Sequence, residues 1–287
     1  MITNASFKNI NSKKVINYYK NLESRLGYTF LTWDTKHFGY YPSKKRDISE
    51  REAQTLMIEL LAKKLQLKKS DLVLDAGCGR GTTTCYLAQK YGCKLVGIDI
   101  VDFELEIAKK RAKRFNLKEK VNFYLKDYSN TKFPDNHFDK VFTLETLVHS
   151  PDFKKTLEEF YRVLKHKGRL ALFEYTISPL KEWSDYNRKM LNIINTGSAM
   201  MSLDKMFHKT FKNDIIKTGF KIISDTDITD FMKPSLERFY KYAKIPYIFI
   251  KFFNLQKYFI NTTAGVEFNK MGLNGLVKYR IFVAEKI

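Results

Sequence analysis

Residues 72–84, Leu-Val-Leu-Asp-Ala-Gly-Cys-Gly-Arg-Gly-Thr-Thr-Thr, constrain the fold of this chain more than any other stretch. A short apolar run ends in Asp75, and Gly77, Gly79 and Gly81 follow at alternate positions. Glycines at this spacing allow a tight turn and a close approach of the backbone to a ligand. The pattern predicts a buried strand, a glycine turn that holds a nucleoside cofactor, and a helix whose first turn the threonines cap.

The spacing within this turn favours one kind of cofactor over another. Dinucleotide enzymes usually carry G-x-G-x-x-G after their first strand. In this chain the third glycine comes one residue early, Cys78 lies between the first two, and an acid precedes them. This departure suits an aminoacyl-like group better than a pyrophosphate.

Short apolar runs alternate with helical spacing between residues 71 and 175. The predicted strands are residues 72–75, 94–99, 121–125, 140–144 and 169–175. The predicted helices are residues 82–91, 103–115 and 153–164. Such alternation predicts parallel strands joined by right-handed crossovers. We therefore expect an α/β fold with a Rossmann-like, doubly wound, mostly parallel sheet. Ligands of such sheets lie beyond the carboxyl ends of the strands.

We expect the N-terminal part of the chain, residues 1–66, to form a helical cap or lid over the cofactor-binding core, residues 67–178. Apolar residues at helical spacing predict helices over residues 13–26 and 47–65. An aromatic-rich loop, residues 31–42, connects them. We expect this loop either to pack its rings into a core or to cover a substrate pocket.

The C-terminal part, residues 179–287, is expected to complete the sheet of a single compact domain. The elements predicted there are a helix over residues 207–218, strands over residues 221–228 and 276–285, and an aromatic, basic helical stretch over residues 234–264. The two strands bring the sheet to seven. The helical stretch falls in an insertion of about residues 230–272, which we expect to line the substrate pocket.

Polar residues follow the predicted strands at the edge where a cofactor would bind. Asp99 ends the second strand, where a carboxylate can accept hydrogen bonds from both hydroxyls of a ribose. Asp127 and Tyr128 follow the third strand, where a carboxylate can accept from an adenine amino group while the ring covers the base. Ile100 and Leu144 lie at the ends of the second and fourth strands and complete the predicted cofactor site.

The segment after the fourth strand faces the reacting centre in this arrangement. Its polar residues Glu145, Thr146 and His149 are candidates for substrate contact or proton removal. The alternative is a polar loop in which Ser150 or Asp152 caps the next helix.

Composition limits the remaining function classes. The five histidines are scattered, no carboxylates have ligand spacing, and no nucleophile motif is present, so no metal is expected. The 51 Lys and Arg against 31 Asp and Glu give +20, which suits nucleic acid, an anionic membrane or a phosphorylated substrate. Because the lysines are dispersed, we expect no dedicated polyanion partner. The chain has no bilayer-spanning apolar run and no signal-peptide pattern, so a cytoplasmic protein is expected.

Several motifs in combination resemble those of class I S-adenosylmethionine-dependent methyltransferases. They are Asp75-Ala-Gly-Cys-Gly-Arg-Gly81, the acid at Asp99, Asp127-Tyr128, Phe133-Pro-Asp-Asn-His-Phe-Asp139 and Arg162-Val-Leu-Lys-His-Lys-Gly168. The resemblance covers roughly residues 70 to 176. It implies S-adenosylmethionine as the cofactor, with its methionine part on the glycine turn, its ribose on Asp99 and its adenine on Asp127 and Tyr128.

A second set of residues is similar to the branch of sterol, tocopherol and cyclopropane-fatty-acid methyltransferases. It consists of Tyr18-Tyr19, Trp33, His37-Phe-Gly-Tyr-Tyr-Pro42 and Glu145-x-x-x-His149-x-Pro-Asp152. The resemblance implies a substrate pocket with Tyr18, Trp33, His37 and Thr146, and a catalytic group of Glu145, His149, Tyr19 and Tyr40. If the acceptor is an alkene, the rings of Tyr19, Tyr40 and Trp33 would stabilise a cation before Glu145 or His149 takes the proton.

The sequence is therefore compatible with three functions. The first is methyl transfer to a small lipophilic or phosphorylated molecule, with carbon as the preferred acceptor atom. The second is O- or N-methylation of a polar small molecule, and the third is binding or modification of nucleic acid, which the dispersed charge does not favour. Homodimerisation and weak association with a membrane surface both remain open.

Overall fold

The computed structural model describes residues 10–30 and 34–287, so Trp33 lies outside the described residues. Its central feature is a seven-stranded sheet in the order β3-β2-β1-β4-β5-β7-β6. The strands are β1 Leu72–Ala76, β2 Lys94–Asp99, β3 Val121–Leu125, β4 Phe138–Leu144, β5 Leu164–Ile177, β6 Phe220–Asp227 and β7 Val277–Lys286. Only β7 runs antiparallel to its neighbours. The predicted doubly wound, mostly parallel α/β fold is confirmed.

The first strand lies at the centre of the parallel part of the sheet. Asp75 is opposite Gly97 of β2 on one side and opposite Phe142 of β4 on the other. Four of the five residues of β1 are buried, as expected for a parallel strand covered on both faces. The carboxyl ends of β1, β2 and β4 therefore meet at one edge of the sheet, where the predicted site residues follow.

Helices cover both faces of the sheet and form the cap. The ones described are α1 Ile10–Lys20, α2 Leu22–Phe30, α3 Glu50–Leu65, α4 Thr82–Tyr91, α5 Asp102–Arg114, α6 Phe153–Val163, α7 Asp185–Gly197, α8 Phe211–Lys217, α9 Thr229–Phe252 and α10 Ile260–Leu273. None of the helices in the described ranges is long and apolar enough to cross a membrane.

Several predicted helix boundaries are wrong. The helix predicted over residues 13–26 is interrupted at Asn21, whose side chain accepts from the backbone of Glu23 and so competes with the helical pattern. The stretch predicted over residues 234–264 is two helices, α9 and α10, and α9 runs through Pro234 and Pro246. The helix α7 was not predicted, because only Met190, Leu191 and Ile194 of its polar sequence are buried.

The predicted capping of α4 by threonine hydroxyls is also wrong. Gly81 holds the N-cap position with φ +67° and makes no side-chain cap. The hydroxyl of Thr82 donates instead to the carbonyl of Asp34 in the cap, and that of Thr84 donates to Asp75 on β1. The hydroxyls therefore tie the helix to the cap and to the sheet.

A buried carboxylate on α3 joins the cap to the C-terminal helices. Glu50 is 3% exposed and accepts from the hydroxyl of Tyr41 at 2.9 Å, the hydroxyl of Ser235 at 2.7 Å and the backbone of Gly39 at 3.2 Å. Because Ser235 belongs to α9, this one side chain connects segments 185 residues apart. A buried carboxylate needs such donors to offset its lost hydration.

We expect Glu50→Ala to lower the free energy of unfolding by about 2–4 kcal/mol, because it leaves buried donors without an acceptor. Urea unfolding measures this change. Glu52→Ala is the matched control, since Glu52 is an exposed acid in the same first turn of α3. Equal losses in the two variants would show that Glu50 contributes only what any acid in the first turn of this helix contributes, and that its hydrogen bonds add nothing.

Candidate active site

A cleft at the carboxyl ends of β1, β2 and β4 brings together nine of the ten predicted cofactor residues. They are Asp75, Gly77, Cys78, Gly79, Asp99, Ile100, Asp127, Tyr128 and Leu144. Gly81 does not line the cleft. A Cβ at Gly81 would lie 2.7 Å from the ring of Phe123 and 2.9 Å from Ala108, so this glycine permits the packing of the sheet and α5.

The first two glycines of the turn line the cleft and have positive φ values. Gly77 has φ +91°, and a Cβ there would lie 2.7 Å from the side chain of Thr146. Gly79 has φ +50°, and its backbone donates to Asp99 Oδ2 at 2.8 Å. These φ values favour glycine, and the absence of side chains leaves the backbone open to a ligand.

Three of the carboxyl groups that line the cleft, those of Asp75, Asp99 and Asp127, accept hydrogen bonds. Burial raises the pKa of Asp75 to about 7 and also raises the pKa of Asp99. Each oxygen of Asp99 accepts one backbone N–H, from Gly79 and from Val101, which leaves further lone pairs for a ligand. Asp127 accepts from Ser129, which orients its carboxylate at the end of β3. This set of acceptors fits the ammonium, ribose hydroxyls and adenine amino group of S-adenosylmethionine.

Charged residues absent from the sequence predictions close the cap over the cleft. The buried Arg80 pairs with Asp34 of the cap, with Glu104 of α5 at 2.9 Å, and with the hydroxyl of Thr29 at 2.8 Å. Lys36 Nζ pairs with Glu104 at 3.0 Å. Nothing in the sequence marked these partners, because 46 residues separate Arg80 from Asp34.

The side chain of Lys36 borders the glycine turn and narrows the cleft. A Cβ at Gly79 would lie 3.3 Å from Lys36 Cδ. The free space in the cleft is about 90 Å³. Pockets for molecules of cofactor size hold about 300 Å³ or more. The polar groups of the cleft thus fit the cofactor chemically, and displacement of the flexible Lys36 side chain would widen the cleft.

A second cavity of about 280 Å³ adjoins the cleft and is lined mainly by apolar side chains. Residues shared with the cleft are Tyr19, Lys36, His37, Glu145 and His149. Tyr18 also lines this cavity, whereas Thr146 lines only the cleft. Tyr40 lines neither, because its ring stacks on Phe231 with centroids 5.1 Å apart. The structure therefore does not bring Tyr40 to the predicted catalytic group.

Glu145 stands between the two cavities at the end of β4. Its backbone has φ +61°, which is strained for a residue with a Cβ and is found at functional sites. Oε1 accepts from the backbone of Phe38 at 2.9 Å, and Oε2 accepts from the hydroxyl of Tyr175 at 2.6 Å. Burial nevertheless raises the pKa of Glu145 to about 8, so the carboxyl is mainly protonated at neutral pH.

His149 and Tyr19 form a hydrogen-bonded pair beside Glu145. His149 Nδ1 lies 3.1 Å from the carbonyl of Ala199, which can only accept, so we assign the ring proton to Nδ1. Nε2 then accepts from the hydroxyl of Tyr19 at 3.1 Å. Burial lowers the pKa of His149 to about 4 and raises that of Tyr19. The pair is therefore neutral, with a basic nitrogen facing a phenol.

Glu174 of β5, which no sequence motif marks, holds the loop that carries these residues. Its Oε1 accepts from the backbones of Thr146 at 3.1 Å and Leu147 at 2.9 Å. Burial raises the pKa of Glu174 to about 7. Asp152 caps α6 through its side chain, as the alternative interpretation of this loop expected. In the described part of the chain, no group of three or more His, Cys, Asp or Glu side chains could hold a metal ion.

Comparison with known proteins decides the family. A family model described as a methyltransferase domain matches residues 67–225. An S-adenosyl-L-methionine-dependent Diels-Alderase of Talaromyces variabilis is 32% identical over 93% of this chain and 91% of its own length. The chain belongs to the S-adenosylmethionine-dependent methyltransferases. Sterol 24-C-methyltransferase of Saccharomyces cerevisiae is 33% identical over 59% of this chain and 44% of its own length.

Solved structures share the fold of this methyltransferase. The cyclopropane synthase MmaA2 of Mycobacterium tuberculosis has a TM-score of 0.81 at 16% identity, with 96% of this chain and 98% of that chain covered. The [4+2]-cyclase SpnF has a TM-score of 0.75 at 20% identity, with 96% of each chain covered. The cofactor is S-adenosylmethionine, which supplies an electrophilic methyl group when bound.

We expect Asp99→Asn to weaken the binding of S-adenosylhomocysteine about 10- to 100-fold, because a charged acceptor is lost from the cleft. Isothermal titration calorimetry measures this loss. Asp102→Asn is the control, since Asp102 lies in the same acidic segment without lining the cleft. An unchanged affinity in Asp99→Asn would remove Asp99 from the cofactor site.

The buried carboxyl of Glu145 also predicts how stability depends on pH. Its pKa is about 8 in the folded chain and near 4.5 when unfolded, so the folded state holds the extra proton between these values. Its contribution to stability therefore falls as pH rises through that window. In Glu145→Gln, we expect the unfolding free energy to fall less steeply between about pH 5 and 8, by up to about 1 kcal/mol per pH unit. Urea unfolding at several pH values measures the slopes, and the exposed Glu119→Gln should follow the unmodified chain.

Proposed function

We propose that the methyltransferase acts on a neutral, lipophilic small molecule held in the 280 Å³ cavity, and that a carbon atom accepts the methyl group. The observation that supports this most strongly is the position of Glu145, a buried carboxyl that lines both the cofactor cleft and an otherwise mainly apolar cavity. The rings of Phe38, Tyr175, Phe239 and Phe268 form part of its wall. Such walls favour an acceptor with a large apolar body.

The charges around the cavity favour a neutral acceptor over a phosphorylated one. Lys36 is the one Lys or Arg side chain among the described residues that line the cavity. It is paired with Glu104, and its Nζ lies 3.9 Å from the centre of the Tyr19 ring. A phosphate group generally requires several cationic or backbone donors. We therefore favour a lipophilic acceptor over a phosphorylated one.

The proton chemistry is assigned to Glu145. Methyl transfer from the sulfonium of S-adenosylmethionine to an alkene would break the S–CH3 bond, release S-adenosylhomocysteine and form a carbon–carbon bond. It would leave a cation on the neighbouring carbon of the acceptor. Loss of a proton from that acceptor restores the double bond. A positive charge bound in the cleft would lower the pKa of Glu145, so that its carboxylate could take this proton at Oε1 or Oε2. Tyr175 and the backbone of Phe38 hold the carboxylate in place.

His37 is proposed to orient a polar group of the acceptor. Its Nδ1 lies 3.0 Å from the carbonyl of Phe38, and Nε2 is buried with no hydrogen-bond partner among the described residues. Burial lowers the pKa of His37 to about 4, so Nε2 is an acceptor. Since His37 lines both cavities, a hydroxyl of the acceptor is a suitable donor to it.

A second candidate function is cyclisation of a polyene with the cofactor bound but not consumed. The relative that is 32% identical over nearly the whole chain supports it, because that protein is named a Diels-Alderase. The same mainly apolar cavity could fold a flexible substrate into a reactive shape. The two candidates differ in one product, because only methyl transfer forms S-adenosylhomocysteine.

The test is incubation with methyl-labelled S-adenosylmethionine and lipid extracts, followed by mass spectrometry. We expect label in a lipophilic product together with an equal amount of S-adenosylhomocysteine. Glu145→Gln should lower kcat by about 100-fold or more while S-adenosylhomocysteine binds with unchanged affinity. The exposed Glu119→Gln is again the matched control.

Two outcomes would contradict the proposal. Label confined to added RNA or protein would replace the lipophilic acceptor with a polymer. A substrate that isomerises without release of S-adenosylhomocysteine would favour cyclisation.

A further inference from the structure

One face of the long helix α9 is apolar and exposed. Ile245, Ile248, Phe249 and Phe252, here called the α9 stripe, are 60–79% exposed. Their spacing of i, i+3, i+4 and i+7 places them along one side of the helix. Phe253, Tyr258 and Phe259 in the following turn are also exposed. Single exposed apolar residues are common, but a contiguous set marks an interaction surface.

The other face of the same helix already packs on the protein. Tyr247 and Ile250 are buried in a small cluster with Val266 of α10. The cluster accounts for the inner face of α9 and leaves the α9 stripe without a role in the core. Because an apolar surface of this kind costs free energy in water, a partner of matching polarity is expected.

The charges beside the α9 stripe identify the kind of partner. Lys241, Lys244, Lys251 and Lys257 are all exposed. The sequence contains no Asp or Glu between Glu237 and Glu267. A second copy docked about a two-fold axis would bring these lysines together and be repelled. An anionic lipid surface would attract the lysines and accept the rings and branched side chains among its acyl chains.

The α9 stripe also lies next to the acceptor cavity. Tyr242, Ala243 and Pro246 of the same helix line that cavity, and Tyr242 is itself 55% exposed. The residues that form this part of the cavity wall and the exposed apolar surface therefore belong to one helix. An acceptor dissolved in a membrane could pass from lipid to cavity with little exposure to water.

We propose that the α9 stripe docks on an anionic lipid membrane, with α9 lying in the interface, and that the lipophilic acceptor enters the cavity from that surface. The role of this docking in acceptor entry rests on the proposed lipophilic acceptor, whereas the docking itself requires neither cofactor nor acceptor. Because no described helix could span a bilayer, the contact is peripheral.

The test is co-sedimentation of the full chain, without cofactor or acceptor, with vesicles of phosphatidylcholine alone or mixed equally with phosphatidylglycerol. We expect binding to the mixed vesicles that weakens as salt is added. The triple variant Ile245→Ser, Ile248→Ser and Phe252→Ser should bind at least about tenfold more weakly. The triple variant Lys241→Glu, Lys244→Glu and Lys251→Glu should lose about fivefold or more for each lysine.

A control variant of the same composition separates the α9 stripe from general surface apolarity. Phe115→Ser, Ile216→Ser and Ile223→Ser change one Phe and two Ile that are 42–46% exposed elsewhere on the protein. This variant should bind vesicles like the unmodified chain. Circular dichroism verifies that each variant is folded, and all variants should retain methyl transfer to an acceptor dispersed in detergent.

Three results would overturn the inference. The unmodified chain could remain in solution with the mixed vesicles at low salt, or the α9 stripe variant could bind as the unmodified chain does. Sedimentation equilibrium could instead show a dimer that the α9 stripe variant abolishes, which would make the surface a subunit interface. Vesicle binding is measured without cofactor or acceptor, so its failure is distinguishable from a failure of the proposed function.

Discussion

The arrangement of the site depends on a buried guanidinium inside the glycine turn. Arg80 is 5% exposed and joins three parts of the chain, through Asp34 of the cap, Thr29 of α2 and Glu104 of α5. Because a buried charge that loses its partners costs about 3–5 kcal/mol, these contacts are important for the stability of this arrangement. The same turn that would hold the cofactor therefore also positions the cap.

Neutral polar groups dominate the boundary between cleft and cavity. Burial raises the pKa of Glu145 to about 8 and lowers the pKa of His149 to about 4, so both side chains are mainly uncharged at neutral pH in the closed protein. A cation bound in the cleft would change this balance most at Glu145, because a carboxylate is stabilised by a nearby positive charge. The arrangement would therefore increase the ionised fraction of this base when the cofactor is present. Glu174 holds the backbone of this loop in place from β5.

The fold and most of the cofactor cleft could be predicted because they depend on local patterns. Strand β2 and helix α4 have the predicted boundaries, and nine of ten predicted cofactor residues line one cleft. Parallel strands bring their carboxyl ends to one edge, so residues that follow those strands necessarily meet. Tyr40 lies outside both cavities, because the sequence of the aromatic loop does not distinguish a ring that packs on Phe231 from one that enters the cavity. Asn21 and α7 were missed because a single side-chain cap or a mostly polar helix gives little periodic signal.

The amino-acid sequence by itself determined the parallel sheet, the glycine turn and the class of cofactor, since each arises from residues close together in the chain. Only the tertiary structure decided which distant charges pair and which rings are exposed. Arg80 meets Asp34, and Glu50 meets Ser235, because burial forces each charged group to find an acceptor or donor wherever the fold provides one. Likewise the sequence of α9 places apolar residues on two sides of the helix. The packing of Tyr247 and Ile250 on α10 determines which side remains open to solvent. The physical reason is that burial is a property of the assembled chain and not of any local segment.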